Sequence, residues 1–119
     1  MADSKKEILQ KANVAIMQGD NEGFLVYCTE DTHWTFVGDK VLQGKEDVRQ
    51  WMAVEYKVPP RFEVTGFIED NDFLAALGTI TLKDETGKVT NYQYCDVWRF
   101  RDGKMAELRA FVIKSDPGS

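Results

Sequence analysis

The chain has 119 residues, 43% of them hydrophobic and 29% charged, with a net charge of −5. That is the length of one domain in a water-soluble composition, with no apolar run near the roughly 20 residues of a membrane span. Its 15 basic residues are scattered among 20 acidic ones and form no stripe, which argues against a nucleic-acid surface.

The elements follow in chain order. Ser4 and Glu7 make an S-x-x-E capping box. Behind it, Ile8, Leu9, Ala12, Ala15 and Ile16 recur at helical spacing, and Gly19 closes the helix. Asp20 caps a second short helix over 21–28, with Phe24, Tyr27 and Cys28 on its inner side. "THWTFVG" alternates as a strand, and Val41 and Leu42 add a short one. A third helix over 45–56 carries Val48, Trp51, Met52 and Glu55 at i, i+3, i+4, i+7 spacing, and Pro59 and Pro60 stop it. Then come "RFEVTGFIED", "DFLAALGTITLKD", "KVTNYQYCDVWRFRD" and "KMAELRAFVIK", joined by "DN", "ETG" and "DG", the turn chemistry of an antiparallel meander.

Helices followed by strands predict an α+β fold. Four long strands and one or two short ones form a curled, conical sheet, since a twisted sheet of this width does not stay flat. Three N-terminal helices cover its concave side, and the cone leaves a pocket. The whole chain, 1–119, is one domain, ordered over about 4–114, with 115–119 a frayed tail.

The "QGD" joint, "EDTHWTFVGDKVLQGKEDV" and "YCDVWRFRDGKMAELRAF" resemble landmarks of the nuclear transport factor 2-like superfamily, in its SnoaL-like and ketosteroid-isomerase-like branch. The resemblance spans residues 6–113. It implies a conical α+β barrel, an apolar pocket open at one end, and a homodimer packed through the outer sheet face. The isomerases of that family use a tyrosine on the first helix, an aspartate base on the first strand and a protonated aspartate on a late strand. Those positions fall at Ala12, at Thr35 or Phe36, and at Gln93. Ala12 and Phe36 carry no proton, Thr35 is a very poor base, and Gln93 donates only as an amide. Steroid isomerisation is therefore not expected. The family's cyclases commonly carry an acid on the last strands. Here Ala106, Leu108, Ala110 and Val112 occupy the face that the family register turns inward, with Glu107, Arg109 and Phe111 on the other.

The same register turns Asn91, Gln93, Cys95 and Val97 inward and Tyr92, Tyr94, Asp96, Trp98 and Phe100 outward. Tyr94, Trp98, Phe100 and Phe111 would then form the dimer interface. Asp96, among those aromatics, is either desolvated with a raised pKa or paired with Arg109 or Arg99; face membership makes it a structural or interface acid. His33 is the only imidazole and the natural general base, but alternation against Trp34 and Phe36 turns it outward. The expected pocket lining comes from the helices (Ile16, Phe24, Tyr27, Val48, Trp51, Met52) and from the strands (Trp34, Phe36, Ile80, Gln93, Cys95, Leu108, Ala110). Gln93 is its main polar anchor.

Such a lining suits a hydrophobic, flattish small molecule. One reading is a binding protein without the isomerase machinery. A second is an isomerase, cyclase or dehydratase that uses His33 or Asp96. A third is a dimeric interaction module. No cofactor and no metal is expected, because one histidine gives no pair for a metal and no phosphate loop is present. Neither nucleic acid nor membrane is an expected partner. Two widely separated cysteines and the polar "MADSKKEILQ" suggest the cytoplasm.

Overall fold

The computed structural model describes residues 3–115. Helix α1 (Lys5–Met17) starts on the capping box. The Ser4 hydroxyl accepts from the Glu7 amide at 3.2 Å, and the Glu7 carboxylate accepts from the Ser4 amide at 3.1 Å. It buries Ile8, Leu9, Ala12, Asn13 and Ile16. Gly19, at φ +83°, turns the chain, and Asp20 caps α2 (Asn21–Leu25) by accepting from the Gly23 amide at 2.9 Å. Then follow β1 (Cys28–Phe36), β2 (Lys40–Gln43), α3 (Lys45–Glu55), β3 (Arg61–Asp70), β4 (Phe73–Lys83), β5 (Val89–Arg101) and β6 (Lys104–Lys114).

The six strands form one curled sheet in the order β2-β1-β6-β5-β4-β3. Neighbours are antiparallel except β1 and β6, which run parallel. The three helices cover the concave side, and one core joins both layers. The second helix is shorter than its apolar spacing predicts. Tyr27 O accepts from Met105 N at 2.8 Å, and the Thr32 hydroxyl donates to Met105 O at 3.2 Å, so β6 draws Cys28 into a strand. No helix among the described residues is long and apolar enough to cross a membrane. Of the expected frayed tail, 116–119 lie outside the described residues, and the Ser115 amide still donates to Asn91 O at 2.9 Å.

One irregularity decides which faces look inward. The β5–β6 hairpin turns at Asp102 and Gly103, both at positive φ, and begins with Arg101 opposite Lys104 and Phe100 opposite Met105. Beyond that the pairing shifts, and Arg99 faces Glu107. Ala106 is the extra residue of a β-bulge, and consecutive Met105 and Ala106 are both buried. A one-residue shift reverses the faces that share a side. Without it, Leu108 and Ala110 would sit beside Val97 and Cys95. With it, they sit beside Trp98 and Asp96.

The face expectation for β5 is therefore corrected. Tyr92, Tyr94, Asp96, Trp98 and Phe100 face the helices, and Gln93 and Cys95 face outward, Gln93 exposed and Cys95 half-buried. Tyr94, Trp98 and Phe100 are core residues and take no part in an outer surface; Phe111 is exposed on that surface. On the other flank, Thr65 is the extra residue between the Val64–Gly78 and Gly66–Leu77 pairs. There β3 folds so closely over β4 that a Cβ at Gly78 would lie 2.3 Å from the Glu63 carbonyl oxygen.

Gly78→Ala is expected to destabilise the fold by about 1–3 kcal/mol, since backbone must move to relieve that overlap. Urea unfolding followed by circular dichroism measures it, and an unchanged midpoint would refute the close approach.

Candidate functional site

Between the helices and the sheet lies a cavity of about 280 Å³. It exists because small residues surround Asp96. The cross-strand neighbours of Asp96 are Ala76 on β4 and Ala110 on β6, and the β4 residue beside Tyr94 is Gly78. Neighbouring strands thus leave space directly above the carboxyl, while bulkier side chains enclose it. From the sheet come Trp34, Phe36, Phe62, Ile80, Tyr94 and Trp98; from the helical side come Leu9, Ile16, Phe24, Trp51, Met52 and Tyr56.

The aromatic wall is continuous. Trp34 meets Trp98 edge to face at 5.5 Å and Phe24 at 5.8 Å, and Trp51 lies 4.9 Å from Phe36 and 5.0 Å from Tyr56. Phe62 meets Tyr94 at 5.9 Å. Such edge-to-face contacts fix ring orientations more firmly than aliphatic packing does. The Nε1 atoms of Trp34 and Trp98 are buried without a hydrogen-bond partner. Exposed Asp39, Lys40 and Glu55 line the mouth.

Asp96 is the chemically distinctive group. Burial alone lifts its carboxyl from the usual 3.8 to about 7. Among the described residues, no ion pair reaches it, and Arg99 is engaged with Glu107 on the opposite face, so of the two alternatives the structure has the desolvated carboxyl and not the pairing. The phenols of Tyr94 and Tyr56 are pushed upward, first by burial and then by the charge of Asp96, which places both within its electrostatic reach. A carboxyl in this state changes its protonation near neutrality.

Of the expected lining, Ile16, Phe24, Trp34, Phe36, Trp51, Met52, Ile80, Leu108 and Ala110 do face the cavity. Tyr27 and Val48 pack into the core outside it, and Gln93 and Cys95 lie on the outer face, for the reason given by the bulge. His33 is exposed on the outer face, opposite Glu107, whose carboxyl is held low chiefly by its hydrogen bond from Arg99. Cys28 is a core group, and burial pushes its thiol up to about 12. Among the described residues no three His, Cys, Asp or Glu side chains gather to hold a metal.

Asn13 is the lining residue that sequence reading missed. It is 8% exposed and lines the cavity. The signal was present: an amide interrupts the apolar Leu9–Ile16 stripe at i+4. Tyr56, Phe62 and Tyr92 were missed as well, because the first lies past a helix end and the other two sit where strand curvature sets the inward face.

The family model for the SnoaL-like domain matches residues 9–108. No curated protein matches the chain. Solved structures with the same fold include the epoxide hydrolase/cyclase-like enzyme SalBIII, of pyran ring formation in the polyether salinomycin (TM-score 0.82, 19% identity, covering 90% of this chain and 88% of that one). An uncharacterised cystatin-fold protein from Novosphingobium aromaticivorans has a TM-score of 0.81 at 17% identity, over 92% and 99% of the two chains. A Mycobacterium tuberculosis protein, in complex with estradiol-17beta-hemisuccinate, has a TM-score of 0.80 at 14% identity, over 89% and 91%. At these identities the likeness establishes the fold.

The state of Asp96 carries a stability signature. Below about pH 4 the carboxyl is protonated in both folded and unfolded chains. Between there and about 7 only the folded chain retains the proton, so stability falls as pH rises and the cost is complete above about 7. The displacement corresponds to about 4 kcal/mol at most. Asp96→Asn is expected to match the parent near pH 4 and to exceed it increasingly toward pH 8 in urea unfolding. A difference that does not vary with pH would refute the buried, unpaired carboxyl.

Proposed function

Since the chain belongs to the SnoaL-like domain family, we propose that its cavity binds a hydrophobic, ring-containing small molecule and that Asp96 exchanges a proton with it. The carrying observation is a carboxyl that lines an aromatic cavity, free of any ion pair among the described residues, where burial raises its pKa toward neutrality. A general acid or base works best with a pKa near the operating pH. The cavity volume of about 280 Å³ suits a ligand of one or two rings, on the order of ten to fifteen heavy atoms. The mycobacterial neighbour's steroid ester supports an apolar ring system as the ligand class.

For a ketone, ionised Asp96 takes a proton from the carbon next to the carbonyl. The C–H electron pair forms the enolate double bond, and the carbonyl pair moves to oxygen. Returning the proton to the same or a conjugated carbon completes an exchange or an isomerisation. The second reading is a carrier in which Asp96 only hydrogen-bonds the ligand. It draws support from Ala12, Thr35 and Phe36 standing where the isomerases keep their tyrosine and base.

The two readings part on 2-tetralone in D2O. Proton NMR is expected to show accelerated loss of the hydrogens next to the carbonyl, with a rate that rises through about pH 7 and falls at least tenfold in Asp96→Asn. Binding without acceleration would leave the carrier reading.

The corrected outer face also supports a homodimer. Ile68, Leu77, Phe111 and Ile113 are exposed there, around half-buried Cys95 and Val97, an apolar cluster of the kind that marks an interaction surface. The two unpaired cysteines accord with a reducing, cytoplasmic setting. Light scattering at micromolar concentration is expected to give a dimer, and Phe111→Asp a monomer; a monomeric parent would overturn this.

A further inference from the structure

Asn13 has no explanation in packing. It lies in the middle of α1, where an amide is a poorer helix former than leucine. It is 8% exposed and flanked along the apolar stripe by Leu9 and Ile16. A leucine would fill a similar volume as a better helix former and keep the stripe apolar, so the place of the carboxamide on the cavity wall is what sets it apart. The carboxamide lines the cavity from the helical layer, while Asp96 lines it from the sheet layer. Around these two groups the walls are mostly rings and aliphatic side chains.

We propose that Asn13 is the specificity-determining anchor of the cavity: its amide N–H donates to a carbonyl or hydroxyl oxygen on the ligand's ring system, so that oxygen-bearing rings are held and the bare hydrocarbons are not. The inference rests on the ligand-binding reading above and deepens it. The carboxamide offers two donors and an acceptor. In a cavity where water competes weakly, a single fixed donor discriminates strongly between a ligand with an oxygen and one without. The ligand is thereby oriented, its oxygen toward α1 and its remaining ring positions toward Asp96 on β5.

The test compares 2-tetralone with tetralin, its oxygen-free counterpart, at pH 8.5. There Asp96 is ionised and cannot donate to the ketone; the indole N–H groups of Trp34 and Trp98 and the tyrosine phenols remain as donors, so the Asn13→Leu comparison and the Asn13 resonances assign the preference. Calorimetry gives the affinities. Quenching of the cavity's three tryptophans, Trp34, Trp51 and Trp98, confirms the place of binding. The parent protein is expected to bind the ketone at least tenfold more tightly than the hydrocarbon. Asn13→Leu should reduce that ratio to near one while tetralin binds as before or better. In the parent protein, the Asn13 side-chain amide resonances should shift with 2-tetralone and stay in place with tetralin, a measurement that needs no variant. Equal affinities in the parent, unmoved amide resonances, or a tenfold preference kept by Asn13→Leu would each overturn the role of Asn13 and leave the cavity reading intact. Failure of both compounds to bind would remove the cavity reading, and the anchor with it.

Discussion

The pairing of β5 with β6 is the constraint on which the rest of the molecule depends. These strands are central in the sheet, and each contributes alternate residues to the space beneath the helices. A single extra residue, Ala106, sets their relative phase. Because strand side chains alternate with a period of two, that phase is all or nothing. In the observed phase, Trp98 and Tyr94 complete an aromatic wall with Trp34, Phe24 and Phe62, and Asp96 faces the cavity between two alanines. In the other phase the same hairpin would present Gln93 and Cys95 to the helices and leave a row of large aromatics in water. Burying that row makes the observed phase stable, since each large aromatic contributes on the order of 2–3 kcal/mol when removed from water.

The same phase brings a cost. Most cavity walls are apolar and interlocked, yet the site retains an unpaired carboxyl, a carboxamide and two buried indole N–H groups without a partner. Each is a group that a purely structural core would replace by a hydrocarbon. Violations of that kind gather where a protein binds or reacts, because the missing partner is supplied by the ligand. Small residues at Ala76, Gly78 and Ala110 leave the room, and Gly78 also lets β3 close over the sheet, so the curvature that shapes the cavity and the space within it share one origin.

Neighbours at 14–19% identity share this curled sheet and helical cover. A fold kept at such distance is a scaffold whose chemistry is set by a few inward positions. Here those positions hold an acid on the central strand and an amide on the first helix. The alanine and glutamine found at two of the isomerase positions lie elsewhere, Ala12 within the core and Gln93 on the outside. The cavity goes with the shared fold, and the chain's own residues give it its lining.

Local chemistry determined most of the architecture. The Ser4–Glu7 box, the Gly19–Asp20 joint, the stop at Pro59 and Pro60 and the turn at Asp102–Gly103 each act over a few residues, so the helices, the strands and their order could be read directly. Trp34, Phe36, Trp51, Met52 and Ile80 could be placed on the inner side because each lies in a run whose periodicity is unambiguous. Periodicity divides a strand into two faces but does not say which one is inside. For β5 both faces held plausible core residues, and the choice fell to a bulge on the next strand. A bulge arises from how two strands meet, and its residue, Ala106, has no distinguishing chemistry of its own. Only the tertiary structure, by burying Trp98 and Tyr94 together, could decide that Asp96 faces the cavity and Gln93 faces the solvent.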